Sequence, residues 1–234
     1  KKQIEAVMTM VALEDLYRPY RPKRRTRATI AKEKGLEPLA EILRAQETTK
    51  TIEEEAAAFV DAQKGVESVQ DAIDGAKDIL AEVYADDADY RTKIRAMTKE
   101  SGSLVAKAKD EEADSVYEMY YDFSEPIKKL VGHRILAINR GEAEKFLTVK
   151  IEAPRQEILL WLVKQIIGNM KHDSASYLYE AITDSYDRLI APSIEREIRN
   201  ELTEKAEEGA IGVFGKNLHQ LLMQPPISGQ VVLG

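Results

Sequence analysis

Apolar residues recur at every third or fourth position over most of this chain, and that period constrains the fold more than any other feature. Ile4, Val7, Met8 and Val11 mark one face of a helix. Val69, Ile73, Ala76, Leu80 and Val83 follow Ser68 at spacings of four, three, four and three, which predicts an amphipathic helix despite Gly75. Thr51 with Glu54 has the pattern of a capping box, and Asp87 stands as an N-cap ahead of inward-facing Tyr90, Ile94 and Met97. Two further helical pieces break at Gly35, the second with Pro38 in its first turn and Leu36, Leu39, Ala40 and Leu43 as its apolar face. The fold class is therefore mainly α, a multi-helix array joined by short connections. No internal repeat is evident.

The period changes after Gly102. Leu104–Ala106 reads as a short strand, Lys109–Asp114 as a charged loop, and Ser124 as the cap of a short helix carrying Pro126. A helix from Gly132 to Arg140 is expected to end at Gly141. Leu147, Val149 and Ile151 then alternate with Thr148 and Lys150 in strand fashion. A small two-stranded β element is thus expected within 103–151. Helical periodicity returns from Pro154. Trp161 lies in a stretch apolar on nearly all sides, which predicts an enclosed helix. Leu178, Ile182, Ser185 and Leu189 mark the next helix, and Pro192 with Ser193 restart it. Glu195/Arg199 and Glu201/Lys205 are spaced as exposed i,i+4 ion pairs. Pro225 and Pro226 close the helical part, and Val231–Leu233 begin a buried strand. The organisation read from these shifts is a helical region over 1–101, a mixed insertion over 102–153, a long-helix region over 154–226 and a strand start over 227–234.

Composition narrows the classes. The 234 residues are 44% hydrophobic and 32% charged, enough for a core under a well-solvated surface. Without cysteine there is no disulfide, thiolate zinc site or cysteine nucleophile, and a cytoplasmic location is expected. No run approaches the roughly 18–20 apolar residues of a membrane span, and Ile158–Val163 is followed at once by Lys164 and Gln165. The start has no initiator methionine and opens in mid-helix with Lys1, Lys2 and Gln3, the pattern of a fragment whose N-terminal neighbour is missing.

The most unusual segment is basic. Arg18, Arg21, Lys23, Arg24, Arg25 and Arg27 place six positive charges and no negative one in ten residues; removing those six from the net −7 leaves −13 on the rest. Tyr17 and Tyr20 are interleaved and suit stacking on bases or sugars. Pro19 and Pro22 rule out helix and keep the guanidinium groups apart and open to phosphates. The alternatives are pairing of the same arginines with acidic helices of the protein or with a partner, and plain solvation.

Other patterns carry less chemistry. Thr29–Leu43 has the outline of a helix-turn-helix, but Glu33, Glu37 and Glu41 face a DNA groove badly and Pro38 sits where base-reading residues lie, so packing is its expected role. His133, His172 and His219 are scattered away from metal-ligand spacing. Asp86, Asp87 and Asp89 read as a helix start rather than a cation loop. Asp110, Glu111, Glu112 and Asp114 read as a solvated loop, and Tyr117, Tyr120, Tyr121 and Phe123 as core. No glycine-rich phosphate loop or nucleophile elbow occurs. No catalytic residue, metal or cofactor is expected.

Three segments resemble one family. Leu13-Glu-Asp-Leu-Tyr-Arg-Pro-Tyr20 with its continuation to Ala40 is similar to the signature of the bacterial Tex proteins, the transcription accessory proteins. Phe123-Ser-Glu-Pro126, His133-Arg-Ile-Leu-Ala137 and Arg140-Gly-Glu142 resemble their central motif. Pro192-Ser-Ile-Glu-Arg-Glu-Ile-Arg199 and Gln224-Pro-Pro226 through Val231-Val-Leu-Gly234 resemble the stretch leading into their next domain. The resemblance covers almost the whole chain and is loosest over Val66–Glu118. It implies that Val231 begins an RNase H-like domain of the YqgF type, followed in the family by helix-hairpin-helix motifs and an RNA-binding β-barrel. It implies nucleic-acid association (RNA or DNA), mainly through those absent domains, action in transcription with RNA polymerase as a candidate partner, and no catalytic residues in this region. The expected function is a non-catalytic helical scaffold. The rivals are a protein-interaction scaffold docking on the transcription or translation machinery, and part of a nuclease whose active site lies outside this segment.

Overall fold

The computed structural model describes residues 10–21 and 25–224. The readings on Ile4–Met8, Pro22, Lys23, Arg24, Pro225–Pro226 and Val231–Leu233 lie outside these residues. The chain divides into two compact units: residues up to Gly102 with Glu152–Arg196, and Ser103–Ile151 with the residues from Glu197 on.

The first unit contains helices α1 (Met10–Tyr17), α2 (Arg27–Glu33), α3 (Glu37–Ala45), α4 (Ile52–Ala57), α5 (Val69–Asp86), α6 (Ala88–Ser101), α8 (Arg155–Ile166) and α9 (Ser174–Asp184). Their starts follow local chemistry. The Thr51 hydroxyl accepts from the Glu54 N–H and Glu54 returns to the Thr51 N–H; Ser68 and Asp71 do the same at α5, and the Asp87 carboxylate accepts from the Asp89 and Tyr90 N–H groups. Gly35, at φ +83°, turns the chain between α2 and α3 in a left-handed conformation that glycine adopts without strain. Helices α2, α3, α4 and α9 all pack on α5, whose Ala72, Ile73, Ala76, Leu80, Ala81 and Ala85 are buried. Val83, expected on that face, is exposed. The helix carrying Trp161 is covered on one side only: Ile158, Leu159 and Leu162 are buried, Leu160 is 58% exposed, and Trp161 meets the edge of Tyr90 with ring centroids 5.8 Å apart.

Loops distant in sequence are stitched by polar groups. Gln46, left-handed at φ 54°, accepts from the Gly168 and Asn169 N–H groups through Oε1, and the Asp173 carboxylate accepts the Ile52 N–H at 2.7 Å, capping α4 from the start of α9. Helix α9 does not restart at Pro192. It runs through a π turn, Ser185–Ile190, into α10 (Ala191–Leu222), and the Ala191 N–H reaches five residues back to the Tyr186 carbonyl. Pro192 has no N–H to give the Arg188 carbonyl, so the ladder shifts just before it.

The second unit holds a three-stranded sheet of order β2-β1-β3, from β1 (Ser103–Ala108), β2 (Asp122–Pro126) and β3 (Leu147–Glu152). Three strands replace the expected two because Ser124 lies inside β2, opposite Val105 in an antiparallel register, and caps no helix. Phe123 and Glu125 turn inward while Asp122, Ser124 and Pro126 are exposed, so the segment alternates as a strand does. Helix α7 (Gly132–Ala143) runs past Gly141 and stops before Lys145, which is left-handed at φ 68°. Ile138 joins Leu104, Ala106, Tyr117, Tyr120, Leu147 and Val149 in one core. Arg199 of α10 reaches Glu142 and Asn139 of α7, with Nη2 2.5 Å and 3.1 Å from their side-chain oxygens. The Lys205–Glu201 pair forms as expected, at 2.7 Å.

Gly141 is buried because there is no room for more: a Cβ there would lie 2.7 Å from Leu147 Cδ1 and 3.1 Å from the Tyr117 ring. Gly141→Ala should cost about 1–3 kcal/mol as overpacking. Gly209→Ala, in α10 with nothing within 4 Å of the new methyl, should add about 0.5–1 kcal/mol through helix propensity. Urea denaturation of both variants tests the packing, and shifts of equal sign would contradict it.

Candidate nucleic-acid interface

The basic segment is not extended throughout. Helix α1 reaches Tyr17 and tightens into a 3₁₀ turn, Arg18–Tyr20, because Pro19 sits in its first turn, where no N–H is needed and the fixed φ suits the winding. Arg21 then turns to an extended conformation. Helix α2 begins at Arg27, capped by the Thr26 hydroxyl, which accepts the Thr29 N–H at 3.1 Å. Lys23 and Arg24 lie outside the described residues. The structure thus brings Tyr17, Arg18, Tyr20 and Arg21 together on one turn and sets Arg25 and Arg27 at the start of the next helix.

The stem of this segment is anchored by a buried ionic cluster. Asp15 on α1 is 3% exposed and Arg91 on α6 is 0% exposed. Arg91 Nε donates to Asp15 Oδ1 at 2.6 Å, Arg95 donates to the other carboxylate oxygen at 2.7 Å, and Arg91 Nη2 donates to Ser193 Oγ at 3.0 Å. Arg18 donates to the same hydroxyl at 3.2 Å. A guanidinium can be buried here because a carboxylate and a hydroxyl face it. Sequence reasoning missed Asp15, Arg91 and Ser193. The visible signal was the i,i+4 spacing of Arg91 and Arg95 beside the inward-facing Ile94.

The remaining cations divide by surroundings. Arg25 pairs with Glu33 at 3.2 Å on an exposed surface, a contact of small energetic weight. Arg21 and Lys32 line a recess of about 500 Å³ whose far wall carries Glu82, Asp86 and Asp87. Arg27 and Lys34 line another, of about 450 Å³, against Glu67, Asp71, Asp74 and Asp78. Glu67, Asp71, Asp74, Asp78, Glu82 and Asp86 follow one side of α5 and its entry at spacings of four, three, four, four and four. The basic segment therefore runs beside an acidic stripe. Burial pushes the Asp78 carboxyl above its usual value, and Arg188, then Arg27, only partly pull it back. Tyr17 and Tyr20 stay 55% and 78% exposed, so the aromatic rings face solvent and not the core. Among the described residues no group of three or more His, Asp or Glu side chains is placed to hold a metal ion. No described helix is long and apolar enough to cross a membrane.

These features define a helical platform bearing a cationic, tyrosine-flanked segment on an anchored stem. Residues 47–214 match the family description Tex central region-like. The chain belongs to the Tex family. It is 47% identical over its whole length to the YdcI protein of Bacillus subtilis (strain 168), of which it spans 33%. It is 34% identical, again over its whole length, to the transcriptional accessory protein Tex of Neisseria gonorrhoeae, spanning 31% of it. It is 32% identical over 97% of its length to the human S1 RNA-binding domain-containing protein 1, spanning 24% of that protein. The chain thus covers about a third or less of the relatives it matches.

Two expectations follow. Asp15→Ala removes a carboxylate from two arginines, one fully buried, and should destabilise the chain by about 3–5 kcal/mol in denaturant unfolding; a cost below about 1 kcal/mol would mean the cluster does not hold α1. For Asp78, a pKa raised in the folded state means the folded form binds the proton more readily, so stability falls as pH rises from the unfolded value through the folded one. Asp78→Asn, neutral throughout, should gain on the parent protein in Tm as pH rises above the ordinary aspartate value of about 3.9. A difference that does not change with pH would contradict the burial.

Proposed function

We propose that this chain is the non-catalytic helical scaffold of a Tex-type transcription accessory protein that associates with nucleic acid, and that Arg18–Arg27 is an auxiliary phosphate contact. The observation that carries the reading is the exposed surface of Tyr17, Tyr20, Arg21, Arg25 and Arg27 above a stem locked by Asp15 and Arg91. A fixed stem keeps the cations presented without a large ordering cost on binding. The names of two relatives, a transcriptional accessory protein and an S1 RNA-binding domain-containing protein, support a role around RNA or DNA. In this reading the main grip on nucleic acid belongs to parts of the protein outside this segment, and any nuclease chemistry would lie there too.

A second reading has one observation in its favour. Arg18 and Arg25 already have protein partners, and the α5 stripe faces Arg21 and Arg27, which suits a scaffold docking on the transcription machinery, with RNA polymerase as the candidate. Titration of a DNA duplex at several salt concentrations separates the two. If about three cations reach phosphates, log K falls with log salt at a slope near −3. Arg21→Glu with Arg25→Glu should then abolish that binding while helical content stays unchanged. Unaltered affinity in the double variant would leave the docking reading standing alone.

A further inference from the structure

The turn between β1 and β2 displays a second surface, of opposite charge. Three N–H groups of the turn bond three residues back, Glu118 to Ser115 at 3.4 Å, Tyr120 to Tyr117 at 2.8 Å and Tyr121 to Glu118 at 3.0 Å. In such a winding side chains three apart eclipse. Tyr117 and Tyr120 therefore align inward, 5% and 6% exposed, in the core with Leu104, Ile138 and Leu147. Val116 and Met119 align outward, 85% and 75% exposed. The tyrosines fix the register, so the apolar pair cannot turn inside without expelling the core.

The backbone beneath the pair is pinned. The Tyr121 hydroxyl donates to the Ala113 carbonyl at 2.5 Å and lies 2.8 Å from Ser115 Oγ, and that oxygen accepts the Tyr117 N–H at 3.1 Å. The Lys109 N–H bonds the Phe146 carbonyl at 2.9 Å. Around the pair, residues 110–122 hold six carboxylates, those of Asp110, Glu111, Glu112, Asp114, Glu118 and Asp122, all on exposed residues, and no lysine or arginine.

We propose that this turn is a docking surface for a protein partner with a positively charged face and an apolar recess that receives Val116 and Met119. Lone exposed hydrophobic residues are ordinary. Two aligned on a fixed turn with a charged rim have the plan of an interface centre, in which the apolar contact supplies affinity and the rim supplies encounter rate and discrimination. Methionine adapts to an irregular recess, and the pinned backbone leaves little to be ordered on binding. The six carboxylates repel nucleic-acid phosphates and attract a cationic protein face. The chemistry of the partner is set by that complementarity.

The test uses the whole chain, methyl-labelled at Val, Met, Ile and Leu, with a peptide of alternating lysine and leucine as probe and its glutamate–leucine counterpart as control. The cationic peptide should shift the Val116 and Met119 methyl signals, with affinity at least tenfold weaker in high salt and in Val116→Ser/Met119→Ser. Glu111→Lys/Asp114→Lys, which leaves the apolar pair intact, should weaken it comparably, and circular dichroism checks that both variants fold. The proposal is overturned if those methyl signals stay still or if the anionic peptide shifts them equally. It is also overturned if a DNA duplex moves them, or if raising the protein concentration alone does so, since the occupant would then be nucleic acid or a second copy.

Discussion

The close approach that α5 permits sets the arrangement of the first unit. Gly75 stands in the middle of that helix, where a Cβ would lie 2.3 Å from Leu36 Cδ1 and 3.3 Å from Ala31 Cβ. Glycine in a helix interior costs about 0.5–1 kcal/mol relative to alanine, and here that cost is offset by seating Leu36, which is 1% exposed. Ala72, Ala76, Ala81 and Ala85 continue the small-residue surface, so α2, α3 and α9 settle on α5 with little between the backbones. Helix α2 carries Arg27 and follows the basic segment directly, so this packing also fixes how that segment meets the acidic stripe of α5.

Much of this was legible because it is local. The caps at Thr51, Ser68 and Asp87 use side chains within three residues of the groups they satisfy, and the break at Gly35 needs only that residue's freedom. The misread elements are those decided by partners far along the chain. Ser124 and Pro126 carry helix-start chemistry, yet pairing with Val105 and Ser103 makes the segment a strand. Val83 has the right spacing and the wrong side, because the buried arc of α5 turns toward Tyr84 and Ala85. The Gln46–Gly168 and Asp173–Ile52 bonds span more than a hundred residues and leave no periodic trace.

The candidate interface was half legible for the same reason. Charge density along the chain picked out Arg18–Arg27, but density says nothing about what lies across from each side chain. Arg18 reaches a serine 175 residues away, and Arg91, which makes the stem possible, sits in a helix read only for its apolar residues. The six carboxylates of the acidic stripe stand at helical spacing in the sequence, but the apolar period of the same helix drew the reading away from them. The alignment of the stripe with the basic segment required the fold.

Two short runs of this chain carry charge of a single sign. Residues 18–27 hold six cations and residues 110–122 six carboxylates, each run without a charge of the other sign. Mixed-sign surfaces favour solubility and give little direction to encounters, whereas single-sign patches steer partners of opposite sign and turn away their own. The two runs belong to different units, and α5 partly compensates the first, while the described residues show no cation within the second. In the reading proposed above, an anionic polymer would be drawn to the basic run and repelled by the acidic turn, and a basic protein face would meet the reverse. On that reading the two kinds of partner use different segments of the chain.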